Sequence, residues 1–452
     1  MNLSFNSDRR SATLKVAAIG LLILILLIPV SMVKGVVYDR ILAASHAVSD
    51  IRNSWGGEQI VAGPLLRLPY RAEAKNSHGE TYPVNRYALI VADELAGKAE
   101  VNVELLHRGI HEVPVYQTEL ELDVQFDLRH LQRLNLAPDS IDWSRAEVIV
   151  GIADPAVMNE IPYLTTGKSR VDFAGTSHQI EGMPTLLSAE VGQTLTGGLQ
   201  TETFGTRIRL SFNGTELLQF VPLAEQTQLS ISANWPSPSF SGRRLPTTRV
   251  VTDTSFDASW ESTSIGRNLP PSWTEGRATP NMHLDGVFGV RFMTPIGLYQ
   301  LMNRALKYAI MFIGLTFVTY FLMEIVTGVR LHPLQYLLVG FANSLFYLLL
   351  LSLAEHRGFG QAYVVSAAAS AALIIGYSAS VLATKQRTFV MAVVLTGLYG
   401  FLYLTLLAES YALLAGSIGL WFVLGAIMYL TRKIDWYASS VSAPPNAASE
   451  QD

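Results

Sequence analysis

The sequence predicts a membrane α-helical bundle of six transmembrane helices carrying a β-rich extracytoplasmic domain. Three observations predict it. From Tyr308 to Leu430 runs a train of apolar stretches, each about 20 residues long and so able to cross the ~30 Å hydrocarbon core as a helix. A separate apolar run, Val16 to Val33, stands near the amino terminus. Between the two, residues 56–295 change to an apolar period of two, the mark of half-buried strands. Only 15% of the 452 residues are charged, below the roughly one quarter usual in soluble domains. The net charge of -4 argues against a nucleic-acid partner. The absence of cysteine excludes disulfides, a Cys nucleophile, thiolate metal sites and Fe–S clusters.

Residues 1–15, with Arg9, Arg10 and Lys15, read as a cytoplasmic amino terminus, and 16–37 as a transmembrane anchor. A cleaved signal peptide would have a shorter apolar region and a small-residue site close behind it. Here Ser45-His46-Ala47 lies too far downstream, so the anchor is retained. Val37, Ile41, Ala44, Val48 and Ile51 then recur at helical spacing, which predicts a membrane-proximal helix over 38–55. Gly56-Gly57 ends it. Its polar face is not basic, so a stalk is favoured over a helix lying on the membrane surface.

In the predicted extracytoplasmic domain, 56–295, Leu66, Leu68 and Tyr70 alternate with Arg67, Pro69 and Arg71. Val101, Val103 and Leu105 alternate with Asn102 and Glu104. Leu120 to Phe126 and Ile208 to Phe212 show the same alternation. Asn213-Gly214 signals a hairpin turn. Short helices are expected near Leu128–Leu134 and after Asp154-Pro155, where Asp caps and Pro fits the first turn. Val287 to Phe292 reads as the last strand, ended by Thr294-Pro295. In the stretch Trp235 to Pro246, prolines and a glycine forbid a central strand. Trp235 and Phe240 either pin this loop to the core or, with Arg243, form a binding surface for a periplasmic or cell-wall partner.

Residues 296–437 are predicted to form a five-helix transmembrane bundle and 438–452 a disordered cytoplasmic tail. The expected spans are Tyr308–Thr327, Leu334–Leu353, Ala362–Thr384, Thr388–Leu407 and Tyr411–Leu430. With the amino terminus inside, six crossings also place Arg330, Lys385, Arg387, Arg432 and Lys433 inside, as the positive-inside rule demands. The short outer loops then hold Arg357 and Glu409, and both termini are cytoplasmic.

HPLQYLLVG (332–340), SLFYLLLLSLAEH (344–356), AYVVSAAAS (362–370) and YQLMNRALKYAIMFIGLTFVTYFLMEI (299–325) resemble the CreD family of bacterial inner-membrane proteins. The Trp235–Pro246 stretch and Phe256-Asp257-Ala258-Ser259-Trp260 are similar to that family too. The resemblance implies one amino-terminal anchor, a large periplasmic domain and a carboxy-terminal bundle in the inner membrane. It also implies a role in cell-envelope integrity and stress tolerance, with no agreed biochemical activity.

For chemistry the sequence offers little. It shows no nucleophile elbow, phosphate loop or HExxH helix, and its nine histidines are scattered, so neither a metal nor another cofactor is expected. The chain reads as non-enzymatic. The informative feature is polarity along three consecutive helices. Thr316, Tyr320, Glu324 and Thr327 share one face; Tyr336, Gly340, Asn343 and Tyr347 another; Ser366, Ser370, Tyr377, Ser380 and Thr384 a third. Such stripes either pack helices together or line a cleft for a lipid, peptide or ion. Glu324, Asn343 and Tyr377 are the candidates, Glu324 first, because an ionisable group at membrane depth is functional by default. A transporter or lipid-handling protein is thus the alternative reading. Partners beyond membrane lipids, and the oligomeric state, are not legible.

Overall fold

The structure is a computed structural model. It describes residues 7–75, 78, 80–109, 111–196, 202–265, 269–275, 286–292, 297–327, 331–382, 384–408 and 411–432. Thr294-Pro295, Arg330, Glu409, Lys433, the tail 438–452 and the side chains of Arg9, Arg10 and Thr327 lie outside this description. The chain divides into two compact units. One comprises Met1–Ala43 with Ile296–Asp452, the other Ala44–Pro295.

The first unit is helical. A 49-residue helix, Ser7–Trp55, supplies its amino-terminal part. A short helix, Leu298–Lys307, bends by 44° into the first bundle helix, Ala309–Thr327. The second (Pro333–Arg357), third (Phe359–Val381), fourth (Lys385–Leu407) and fifth (Ala412–Thr431) follow. Among the described residues four helices are long and apolar enough to cross a membrane, and five if the bent pair counts as one span; the fifth bundle helix contributes the shorter apolar stretch Gly416–Tyr429. The start of the second helix is dictated locally. The His332 ring accepts from the Leu334 amide at 3.2 Å, Gln335 reaches back to the His332 amide at 3.0 Å, and Pro333 fills the first turn. That is a capping box, with histidine in place of the usual hydroxyl. The helix then turns Leu334, Leu338, Phe341, Leu345 and Leu348 outward and buries Val339, Phe346 and Leu350. At Gly340 the buried Leu26 of the amino-terminal helix comes so close that a Cβ would sit 2.0 Å from it. Glycine is what lets the anchor pack into the bundle.

The second unit is β-rich, with sixteen strands among the described residues. Its axis is the 28-residue strand Thr81–Arg108. The first half of this strand pairs antiparallel with Gln59–Lys75, the second half with His111–Asp127, and Ala224–Ala233 runs parallel to its middle. The alternation read from sequence is realised: Leu120, Leu122, Val124 and Phe126 are buried, as are Ile208, Leu210 and Phe212. The two short helices also form, as 3-10 turns Leu128–Leu134 and Pro155–Val157. In the latter the Asp154 carboxylate accepts from the Ala156 amide at 3.0 Å.

Two expectations are corrected. Asn213-Gly214 is not a hairpin turn but lies inside the strand Thr203–Thr215. A Cβ at Gly214 would meet the Tyr116 ring at 2.4 Å, so the glycine makes room for an aromatic side chain. The chain turns at Glu216 instead, in the left-handed region. Arg67 is likewise not on a wet face. It is 1% exposed, pairs with Glu147 and stacks 4.6 Å over the Tyr87 ring. Leu65, on the same face of the strand, packs in a buried cluster with Leu89, Ile180, Leu186 and Trp273, so this face of the sheet is covered too.

Candidate functional site

The candidate site is the polar interior of the helix bundle. Glu324, near the end of the first bundle helix, is 9% exposed. Its carboxylate pairs with the Lys15 ammonium from the amino-terminal helix and accepts from the Tyr336 hydroxyl of the second helix at 3.2 Å. Tyr336 is held edge-on against Phe317, with ring centroids 5.4 Å apart. One turn earlier, Tyr320 bonds to Ser378 of the third helix. On the far side of that helix's apolar run, Arg40 pairs with Glu355 at 3.3 Å, and the Tyr299 hydroxyl donates to Glu355 at 3.5 Å. Charged pairs therefore clamp both ends of the apolar run. The 25 residues from Lys15 to Arg40 span about 38 Å as a helix, close to the hydrocarbon core plus the inner edge of each headgroup layer.

Between the clamps lies a different kind of polarity. Asn343 and Tyr347 on the second helix and Ser366 on the third are fully buried, and their side-chain polar atoms have no hydrogen-bond partner among the described residues. They adjoin an aromatic cluster in which Phe346 meets Tyr347, Tyr363 and Tyr399 at 4.9, 5.4 and 5.0 Å between ring centroids. Tyr363 in turn donates to the Tyr399 carbonyl at 2.7 Å. Neutral amide and hydroxyl groups of this kind can donate to and accept from a polar but uncharged group. Leaving them unpaired in a low-dielectric interior costs free energy.

The stripes read from sequence are thus largely the buried faces. Thr316, Tyr320, Glu324, Tyr336, Gly340, Asn343, Tyr347, Ser366 and Ser370 all point inward. On the third helix the inward face continues through Ile374 and Ser378, whereas Tyr377 is half-buried and Ser380 and Thr384 are exposed. A step of seven from Ser370 reaches Tyr377, but the face advances by four. Ser378 was missed for that reason, and Lys15 because a basic flank reads as an orientation signal.

The remaining candidates lie in the β unit, apart from these. Trp235 is 8% exposed, and Phe240 packs edge-on against Phe256 and Trp260, each at 5.8 Å. Pro238–Gly242 is an edge strand on Phe288–Phe292. Arg243 is exposed, with its amide bonded to the Val287 carbonyl at 2.8 Å. Trp235 and Phe240 therefore pin this segment, while Arg243 and Leu245 are exposed on it.

Residues 11–437 match the family described as Inner membrane protein CreD. The chain belongs to the CreD family. It is 32% identical over 426 residues to Inner membrane protein CreD of Escherichia coli (strain K12), an alignment covering 93% of this chain and 92% of that relative. A CreD protein is an inner-membrane protein, and the apolar helices described above fit that setting with lipid around them.

Proposed function

We propose that this CreD-family chain supports cell-envelope integrity and stress tolerance as a non-enzymatic inner-membrane protein. It crosses the membrane six times, keeps both termini in the cytoplasm and acts through its β domain in the periplasm. The observation that carries the reading is the commitment of Glu324 to Lys15 and Tyr336. A buried carboxylate already holding an ammonium and a hydroxyl is a fastener. It is not a free ligand for a substrate ion. The bundle is then chiefly a platform, and the work falls to the β domain, with the Trp235–Pro246 segment offering Arg243 to a periplasmic or cell-wall partner. The two clamps also support the topology. Lys15 at the start of the anchor meets the end of the first bundle helix, and Arg40 meets the end of the second, as alternating crossings require.

A second reading, lipid handling, is favoured by one feature. The first, fourth and fifth bundle helices enclose a crevice of about 570 Å³ lined by Leu322, Val390, Val394, Val423 and Ile427, with Arg387 contributing from the first turn of the fourth helix. An acyl chain suits the apolar part, and a headgroup phosphate suits the guanidinium.

One experiment weighs the two readings. A deletion strain is complemented with Glu324→Gln, Asn343→Leu or Arg387→Gln at matched protein abundance, and survival is measured under detergent or a cell-wall antibiotic. Full survival of all three is expected. Loss of tolerance in Glu324→Gln would overturn the platform reading, and loss in Arg387→Gln alone would favour lipid handling.

A further inference from the structure

We propose that Asp93, His130 and Glu225 in the β unit form a divalent-cation site suited to zinc. The three residues come from three elements: the strand Thr81–Arg108, the 3-10 turn Leu128–Leu134 and the strand Ala224–Ala233. Their ligand atoms all lie within 4.8 Å of one another. His130 Nε2 is 2.9 Å from Asp93 Oδ1 and 3.7 Å from Glu225 Oε1. Tetrahedral zinc with N and O ligands at 2.0–2.2 Å requires donor atoms about 3.3 Å apart. The two observed separations bracket that value.

The sheet register explains why a cation would be favoured between these groups. Ala224 pairs with Ala92 and Gln226 with Glu94 in parallel, so Asp93 and Glu225 stand side by side on neighbouring strands. Like charges so placed destabilise a sheet. Arg129 is close enough to be felt by Asp93, but its guanidinium is held by Asp127 at 2.6 Å and by Glu202 at 3.5 Å. One ring nitrogen of His130 faces both carboxylates and can donate at most one proton there. A dication neutralises both carboxylates and takes the imidazole as a ligand.

The site is also built around its donors. His130 is 7% exposed, and its backbone carbonyl accepts from the Ser272 hydroxyl at 2.8 Å. The second oxygen of Asp93 accepts from the Asp127 amide, which fixes the carboxylate's orientation. Supporting bonds of this kind orient metal ligands and tune their affinity. The Asp93 and Glu225 side chains remain 24% and 37% exposed, so an ion can enter and keep a solvent-side position. With no cysteine in the chain, the site is of the N/O type.

The test uses the full chain in detergent, purified without a polyhistidine tag and stripped with a chelator. Zinc is titrated by calorimetry, and cobalt(II) is added separately to read ligand geometry from its visible absorption. Wild type is expected to bind one zinc per chain, to melt at a higher temperature with zinc, and to give a tetrahedral cobalt spectrum. His130→Ala and the pair Asp93→Asn with Glu225→Gln should each lose the bound equivalent and the zinc-dependent shift. Glu225→His, which replaces one ligand type by another, should keep both. Equal zinc binding in wild type and His130→Ala would overturn the proposal, as would no binding in wild type. Retention of the bound equivalent in the pair Asp93→Asn with Glu225→Gln would also overturn it, because the zinc would then be held elsewhere.

Discussion

Burial means opposite things in the two units. In the β unit the residues turned outward are charged and pair across strands, as Arg207 does with Asp123 and Arg209 with Glu121, while Leu120, Phe126 and Trp260 fill the inside. In the bundle the outside is Leu338, Phe341, Val393 and Phe422, and the inside holds Glu324, Asn343, Ser366 and Tyr336. The solvent decides. Water rewards hiding apolar area, whereas lipid gives no such reward, and helices there associate through small residues, close packing and hydrogen bonds. Apolar side chains still fill most of the bundle's interior, but there the polar residues gather on the inward faces, whereas in the β unit the charged ones turn outward. Arg67, paired with Glu147, is the exception that most resembles the bundle's own Lys15–Glu324 pair.

The sharpest way to break this comparison is to ask which compartment each unit faces. The chain lacks cysteine, so single cysteines report cleanly. Leu245→Cys, at a position 65% exposed in the β unit, should react fully with an impermeant thiol reagent in intact spheroplasts. Thr384→Cys, exposed just before the fourth bundle helix, should react only after permeabilisation. The reverse pattern would refute the orientation.

The next largest effect concerns charge inside the β unit. Glu147→Ala strands the Arg67 guanidinium where almost no water reaches it. We expect a loss of about 3–5 kcal/mol in denaturant melts. The double change Arg67→Met with Glu147→Leu should cost much less, because no charge is left unpaired. If the single change costs no more than the double, Arg67 is solvated in solution and the two units differ less than described.

The smallest effect is a pH dependence confined to the β unit. His178 sits edge-on to Tyr87, with ring centroids 5.1 Å apart. Burial, and then the nearby Arg67, lower its pKa from the ordinary 6.5. The unfolded chain then binds the proton more readily, so the stability His178 contributes is present above 6.5 and is lost as pH falls through the folded value. Between about pH 7.5 and pH 5.5, the wild-type melting temperature should fall by more than that of His178→Asn. Parallel curves would show that the ring is freely solvated.

The units also differ in how much of them was legible. Period two in Leu120–Phe126 identified both a strand and its buried face, since polar and apolar residues alternate sharply there. Arg67 defeated the same logic, because its face is covered by residues far along the chain, Ile180, Leu186 and Trp273 among them, and Glu147 arrives there to pair with it. In the bundle, helices apolar on nearly every side conceal their orientation, and only the sparse polar residues mark the inward face. That signal was enough to find Glu324, Tyr336 and Asn343. It could not show that Lys15 neutralises Glu324, nor that His130 meets Asp93 and Glu225. Such meetings depend on contacts between distant segments, which no local pattern encodes.

The Lys15–Glu324 pair has a consequence in time as well as in space. Its partners are 309 residues apart in sequence, and translation proceeds at about 5–20 residues per second. Lys15 is therefore made roughly 15–60 s before Glu324, with the whole β domain emerging in between. Throughout that interval the anchor must hold its place by hydrophobicity and flanking charge alone. The clamp can close only once Glu324 has been made, when Lys15 and the whole β unit already exist.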